Sequence, residues 1–532
     1  MAVPSRNPFD GLPIETNQHI ATYLTTDSDL CTFRLVSQST HNAVDADNNS
    51  FWRRRFVSVF ETPTWGVTRS ASQNVKFKLE YQRRRKCLMF GAKYEAALVR
   101  RDAVQIRKGT QALEVVREML VDAFSDRPTD NTKIYESSNL TAVLNFISNH
   151  DLLNFVLLPD RNPPPPQQHF RTRSSPRSTN NSASASASTM DIVCLPKDLL
   201  QTIQILLAPA MFDIDRHFNH FSFPFSQEVV YGTGSQHQIF TFVLHLPLPP
   251  ILLIKTNDIT LSGANGLDIS PPWLLHHINF WKFHMMREAE CTLAQPFADL
   301  PPASRPRFWD RQLTQHNGTL GKNWKGSYAY LDRDHMPAIR AGKGHTDPIP
   351  DEFNGEADGA RSFQDLRLEL VDDKDSFWPP TFEQHLRALT LPPSRAKTRA
   401  QKRSTDASTI SNLRPQSFHF HGDGSDSSES FLSAGWLNAL PPQNGVPGWQ
   451  RMTMMKYFES DEGVVDEEGL WAYEGVVLPG GQIMVGRWWS PGDGVGEDMY
   501  SGPYMLWCVD GVEREDGDGE RREGSVDLDQ LP

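Results

Sequence analysis

LPIETNQHIATYLTTDSDLCTFRLVSQSTHNAVDADNNSFWRRRF, residues 12–56, is the stretch from which the rest of this chain is best read. Leu12-Pro13 opens a helix, because proline suits a first helical turn in which its missing N–H has no intrahelical partner. Ile14, Ile20 and Leu24 supply the apolar face, interrupted by Thr16-Asn17. Asp27, Ser28 or Asp29 caps a second helix. Leu30, Phe33, Leu35 and Val36 continue the apolar surface along it. Ser37 begins a polar turn, SQSTHNAVDAD, and Phe51-Trp52 supplies bulky anchors. A segment of three short helices and this size buries its own apolar surface poorly. Leucine, isoleucine and tryptophan side chains are left for the following helices or for another protein to cover.

Working outward, residues 75 to 158 read as helical, with apolar groups at three- and four-residue spacing in FKLEYQRRRKCLMF and QALEVVREMLVDAF. The basic run Arg83, Arg84, Arg85 and Lys86 reads as a solvated helix face. Residues 159–190 are rich in Pro, Ser and Asn and cannot bury enough apolar area to offset the entropy of ordering them. After a helix at LPKDLLQTIQILLAP, short aromatic and β-branched runs alternate with Gly/Pro turns: EVVYGTG, HQIFTFVLHL, GSYAYL, FQDLRLELVD, SFHFHG and LWAYEGVVLPGGQIMVGRWW. That is how an antiparallel sheet or barrel reads. The fold class is therefore α+β and multidomain. Its parts are a helical unit at 8–60, a helical segment at 70–158, a disordered linker at 159–190 and an antiparallel β-rich, barrel-like domain at 191–510. A disordered insertion at 392–415 and an acidic tail at 511–532 complete it.

The bulk numbers bound the function classes. Apolar residues are 38% of 532, low for one compact body of that size. The net charge of −12 argues against nucleic acid or a membrane surface as partner. Five widely spaced cysteines without a CxxC fit reduced thiols in the cytoplasm or nucleus. No apolar leader is visible at the start. The longest apolar run, 240–254, is broken by prolines and reads as core strands rather than a membrane span. The basic residues between Arg395 and Arg403 read as part of a solvated linker, and Ser174-Ser175-Pro176 as a candidate phosphorylation switch.

A search for chemistry leaves little. His419, His421 and Asp423 have metal-like spacing, but no third and fourth ligand can be named, and two exposed histidines on a strand is the simpler reading. The GDGVG at 492–496 opens no helix and is flanked by acids, which would repel phosphate. Cys508 has no cationic neighbour in sequence to mark a reactive thiolate. No catalytic residue, metal or cofactor is expected. Trp324, Tyr328 and Tyr330 lie along one strand, with Tyr328 and Tyr330 on one face. Trp488 and Trp489 point to opposite faces, so at most one belongs in a core.

The order Leu12-Pro13-x-Glu15, Asp29-Leu30, Arg34-Leu35-Val36-Ser37 and then Trp52 resembles the F-box, over about a tenth of the chain. Thr16-Asn17 stands where that family has a leucine pair, and His41 where it has an aromatic. The later pattern Trp324-x-Gly326-x-Tyr328, the GRWW hairpin and GPYMLW resembles the C-terminal domain of fungal F-box proteins. The resemblance implies a non-enzymatic adaptor that docks on a Skp-type protein and, through it, a cullin, recruiting an unnamed protein substrate for ubiquitination. It implies adaptor contacts at Leu12, Pro13, Ile14, Ile20, Leu24, Leu30, Leu35, Val36, Ser37 and Trp52. Substrate contacts would fall at Trp324, Tyr328, Arg487 and Trp488. Rival expectations are a ligand-binding or metal-dependent barrel tethered by the F-box, and a scaffold that works without the ligase.

Overall fold

A 3-10 turn, Pro8–Gly11, leads into four short helices: α1 (Ile14–Thr22), α2 (Asp27–Arg34), α3 (Gln38–Asp45) and α4 (Ser50–Val57). The computed structural model describes residues 7–45, 50–64, 76–93, 97, 102–128, 135–150, 195–215, 223–232, 268–289, 292–314, 320–340, 349–353, 363–371, 376–386, 417–426, 429–460, 462–493 and 499–510. The sequence features at 159–190, 240–254, 392–415 and 511–532, and Ser174-Ser175-Pro176, lie outside these residues.

The cap of α2 is Thr26, not Asp27, Ser28 or Asp29: its hydroxyl accepts from the Asp29 N–H at 3.0 Å. The two aspartates sit in the first turn instead, where a negative charge meets the positive end of the helix dipole. The polar stretch after Ser37 is the helix α3 rather than a turn. Ser37 and Thr40 cap one another's backbone, the Ser37 N–H donating to the Thr40 hydroxyl at 2.9 Å and the Thr40 N–H to Ser37 Oγ at 3.2 Å.

Helices α5 (Phe77–Phe90), α6 (Ala103–Asp122) and α7 (Ser138–His150) follow. The basic run on α5 is only in part a solvated face: Lys86 is exposed, but the three arginines are paired. Arg83 pairs with Glu118 of α6 at 2.6 Å, Arg84 with Asp122 at 2.8 Å, and Arg85 with Asp27 of α2 at 2.7 Å. Arg84 is almost sealed from water, its guanidinium lying 5.0 Å and 5.6 Å from the ring centres of Phe56 and Phe60. Carboxylates on the facing helices make that burial tolerable, since a buried charge must be paired. Burial pushes the Asp122 carboxyl up, against the lowering by Arg84 and the Thr64 bonds.

The stretch that begins the expected β-rich domain is helical through α8 (Lys197–Leu206), α9 (Ala208–Met211), α10 (Phe223–Tyr231), α11 (Pro271–Met286) and α12 (Ala294–Asp299). EVVY is the end of α10, not a strand. Its buried positions, Phe223, Ser226, Gln227, Val230 and Tyr231, follow helical spacing. These helices share one core with the N-terminal ones. Leu30, Trp52, Phe56, Val116, Leu120, Ile203, Leu274 and Trp281 all belong to it.

The strands β1 (Asn323–Tyr330), β3 (Gln364–Val371), β4 (Ser417–Asp426), β5 (Glu429–Ala439), β6 (Gln450–Tyr457), β7 (Trp471–Val477), β8 (Ile483–Trp489) and β9 (Ser501–Cys508) form an antiparallel meander. It closes where β9 pairs with β1. The short β2 (Glu352–Phe353) extends β1 at its edge. Two further helices, α13 (Met336–Arg340) and α14 (Pro380–Leu386), belong to this part. Eight strands leave an interior that side chains can fill. Here Trp324, Leu368, Phe420, Met452, Met484 and Tyr504 fill it. Glycine makes the room. A Cβ built on Gly435 would stand 2.3 Å from the Phe420 ring, and one on Gly475 2.3 Å from the Tyr504 hydroxyl.

The outer face is covered as well. Ile483, Val485, Met505 and Trp507 join the helical core, while Trp489, Met455 and Ala472 pack beneath α14 with Phe382 and Leu386. For that reason both Trp488 and Trp489 are buried, on opposite sides of one strand, where only one was expected in a core. His419 and His421 differ too: His419 is fully buried against Trp436, ring centres 4.8 Å apart, and only His421 is exposed. Among the described residues no helix is long and apolar enough to cross a membrane.

Candidate functional site

Two surfaces stand out, one on the N-terminal helices and one at an end of the barrel. The first is built where the 3-10 turn meets the α2–α3 corner. Asn7 Nδ2 donates to the Val36 carbonyl at 3.0 Å. Phe9 packs edge-on against Phe33 with ring centres 5.5 Å apart. Asn17, fully buried, donates to the Phe9 carbonyl at 3.1 Å and to Ser39 Oγ at 3.0 Å. This asparagine, which interrupts the apolar face in the sequence, ties the opening turn to α3.

The tie brings the opening turn to the Val36 carbonyl, and aliphatic residues on both segments stay exposed. Leu35 is 81% exposed, Val36 41%, Ile14 39% and Leu12 36%, and Pro13 is exposed with them. The other expected docking residues sit elsewhere. Ile20 and Leu24 are half-buried against the core. Leu30 and Trp52 are inside it, at 4% and 5% exposure. The indole N–H of Trp52 donates to the Val44 carbonyl at 2.7 Å, and its ring meets Tyr81 at 5.7 Å. Trp52 therefore anchors the helices to one another and is not left over for a partner. Ser37 is half-buried and occupied in capping α3. Sequence reasoning missed Tyr23, the exposed ring at the end of α1.

A cleft of about 500 Å³ runs between α2, α3, α4 and α5. Its apolar lining is Leu30, Cys31, Val44, Trp52 and Leu79. Asp45 on its wall accepts from Arg34, from Lys78 at 2.7 Å and lies 3.1 Å from His41. Burial alone would raise the Asp45 carboxyl, but the hydrogen bonds from Lys78 and Arg34 outweigh it and hold it below its ordinary value. Asp27 has the same balance. Burial raises it, and Tyr81, Arg85 and Arg55 together lower it further than burial lifts it.

The second surface is the end of the barrel to which Tyr328 and Trp488 point, ring centres 5.7 Å apart. Tyr330, Trp471 and Tyr500 complete a half-buried aromatic rim, with Trp471 and Tyr500 each 5.4 Å from Trp488. The Lys456 ammonium lies 4.2 Å from the centre of the Phe431 ring and 5.6 Å from that of Tyr328. Arg333 lies over Tyr500 at 5.2 Å. Strand alternation could have found Trp471, since Tyr473 pairs with Trp488 across the hairpin and Trp471 shares its face.

Trp324 and Arg487 do not join this rim. Trp324 is 1% exposed at the far end of β1, its indole N–H donating to the Gly321 carbonyl at 2.7 Å. Arg487 faces outward, 5% exposed, on the side where β8 meets α11. Burial first, and Arg340 second, lower its guanidinium to about 10. Glu474 stands opposite it in register and is paired with Arg451 at 2.6 Å. Both residues are therefore structural.

Among the described residues no three His, Cys, Asp or Glu side chains are gathered as metal ligands. Burial pushes the Cys508 thiol up to about 11, so it is not a poised nucleophile. The geometry offers docking surfaces: an exposed aliphatic face and an aromatic rim. Set against known proteins, the chain matches no family model, no curated protein and no solved structure.

Proposed function

We propose that this chain is a substrate-recruiting, non-catalytic subunit of a Skp–cullin–F-box ubiquitin ligase. Its N-terminal helices dock on a Skp-type adaptor, which bridges to a cullin, and the barrel rim holds the protein to be modified. The observation that carries this reading is that Leu12, Ile14, Leu35 and Val36 of the opening helices are left exposed, while Leu30, Phe33, Trp52 and Phe56 are taken into the core. Contiguous exposed apolar surface on paired helices marks an interaction site. The resemblance in motif order supplies the identity of the partner. Such a subunit acts by raising the local concentration of target beside the ligase's reactive component, and needs no covalent step of its own.

Replacing Leu35 and Val36 by aspartate tests the reading. Both side chains are exposed, so the fold should tolerate the change. Loss of co-purification with the Skp-type adaptor at an unchanged melting temperature is the expected result. Retained co-purification overturns it. Trp471→Ala with Tyr500→Ala should leave adaptor binding intact and cause the target to accumulate.

A further inference from the structure

We propose that the cleft between α2 and α5 is a binding site for a small phosphate monoester with an apolar body. Its volume of about 500 Å³ is that of a ligand pocket. Counted among the described residues, its polar groups are out of balance. Arg34, Lys76 and Lys78 bring three positive charges, Asp45 brings one negative charge, and Gln82 is neutral. Both Asp45 oxygens are already taken: Oδ1 accepts from Lys78 at 2.7 Å, and Oδ2 faces Arg34 and His41. Arg34 turns Nε and Nη2 to that carboxylate, which leaves Nη1 over. Lys76 and Gln82 are exposed and bond to no described residue. The cleft thus holds unused donors on three side chains, and the acceptors still open to them are the Gln82 amide oxygen and the Cys31 sulfur. An excess of two positive charges matches a phosphate monoester, which carries about −1.5 to −2 near pH 7. A carboxylate would neutralise half of it.

The apolar lining sets what the rest of the ligand must be. Leu30, Val44 and Trp52 line the cleft from the core side, and Leu79 is 57% exposed. The Lys78 ammonium lies 5.8 Å from the centre of the Trp52 ring, so the cationic and the apolar lining meet within one site. A ligand whose phosphate accepts from Lys76 and Arg34 can lay a ring or short alkyl body against Leu79 and Trp52. Such a molecule answers both halves of the lining. Inorganic phosphate answers the charge alone, and a neutral hydrocarbon the apolar groups alone.

Cys31, an exposed thiol that lines the cleft, reports its occupancy. The full chain is mixed with 1-naphthyl phosphate, or with inorganic phosphate or 1-naphthol as its head and its body alone. Affinity is read by calorimetry, and labelling of Cys31 by a maleimide is timed by peptide mass spectrometry. With 1-naphthyl phosphate at about four times its Kd the labelling rate should fall about fivefold, because only the empty fraction reacts. Inorganic phosphate and 1-naphthol should each bind at least about tenfold more weakly. Lys76→Glu sets a like charge against the phosphate and should raise Kd about tenfold, and added salt should raise it too. Leu79→Asp should weaken binding as well. Both positions are exposed, so the melting temperature should stay unchanged. Absence of binding heat, or binding without protection of Cys31, overturns the proposal. So does a Kd that is the same in Lys76→Glu. Equal affinity for 1-naphthol would make the cleft merely apolar, and equal affinity for inorganic phosphate would make it a bare anion site; either result also overturns it.

Discussion

Removing the carboxylate of Asp122 should destabilise the helical part of the protein severely, because Arg84 would be left buried without its main counter-charge. Arg84 and Asp122 are each 1% exposed at the side chain and meet at 2.8 Å. Asp122 also accepts from the Thr64 N–H at 2.8 Å and its hydroxyl at 2.9 Å. Glu80, at 3.0 Å from Arg84 Nε, is the only other carboxylate bonded to that guanidinium among the described residues. Breaking a buried pair from one side costs about 3–5 kcal/mol, since the remaining charge keeps its desolvation penalty. For a chain of this size that corresponds to a fall in melting temperature of about 3–5 °C. The double replacement Arg84→Met with Asp122→Leu removes both charges and should recover most of the loss. Differential scanning fluorimetry and urea unfolding of the two variants make the measurement. An Asp122→Ala protein within about 1 kcal/mol of the unaltered chain would refute the view that this pair is desolvated.

Other consequences can be measured in the same way. Gly435→Val places a side chain where its Cβ would be 2.3 Å from both the Phe420 ring and the Thr453 carbonyl oxygen; a loss on the order of 3 kcal/mol is expected by urea unfolding, and an unchanged stability would contradict the close packing at Gly435. The carboxyls of Asp27 and Asp45 lie below the ordinary aspartate value of 3.8 in the folded chain. A depressed carboxyl contributes stability that is fully present above the unfolded value and lost as pH falls through the folded one. Asp27→Asn should therefore lower the melting temperature near neutral pH and flatten its decline in acid; a parallel curve contradicts the hub at Asp27. Cys508, with its thiol pushed up to about 11, should stay unlabelled by iodoacetamide under conditions that modify exposed Cys31. Equal modification of the two would mean that Cys508 is not enclosed.

Strands β1, β3, β4, β7, β8 and β9 were legible because alternation and glycine turns state them locally, as WAYEGVV and QIMVGRWW name their own period and the turn between them; β5 and β6 went unnamed. What failed to show was whatever depends on the far side of a contact. Helix α11 is buried on nearly every side, so PPWLLHHINFWKFHMM carries no polar face to mark a helical period. Trp52 looked available because bulk alone does not say which way a ring points; the Val44 carbonyl and the Tyr81 ring decide it. The basic run on α5 looked solvated because Glu118 and Asp122 lie more than thirty residues away in sequence. Arg487 looked like a binding residue for the converse reason. Nothing in GRWW announces that α11 will cover that side of the strand.

Hydrogen–deuterium exchange of the full chain, alone and mixed with a purified Skp-type adaptor, tests the central claim most directly. Slowed exchange confined to peptides covering residues 12–24 and 31–37, with the Trp52 peptide and the barrel strands unchanged, is the predicted result. Unchanged exchange at Leu12–Ile14 and Leu35–Val36, or protection only at distant peptides, would contradict it.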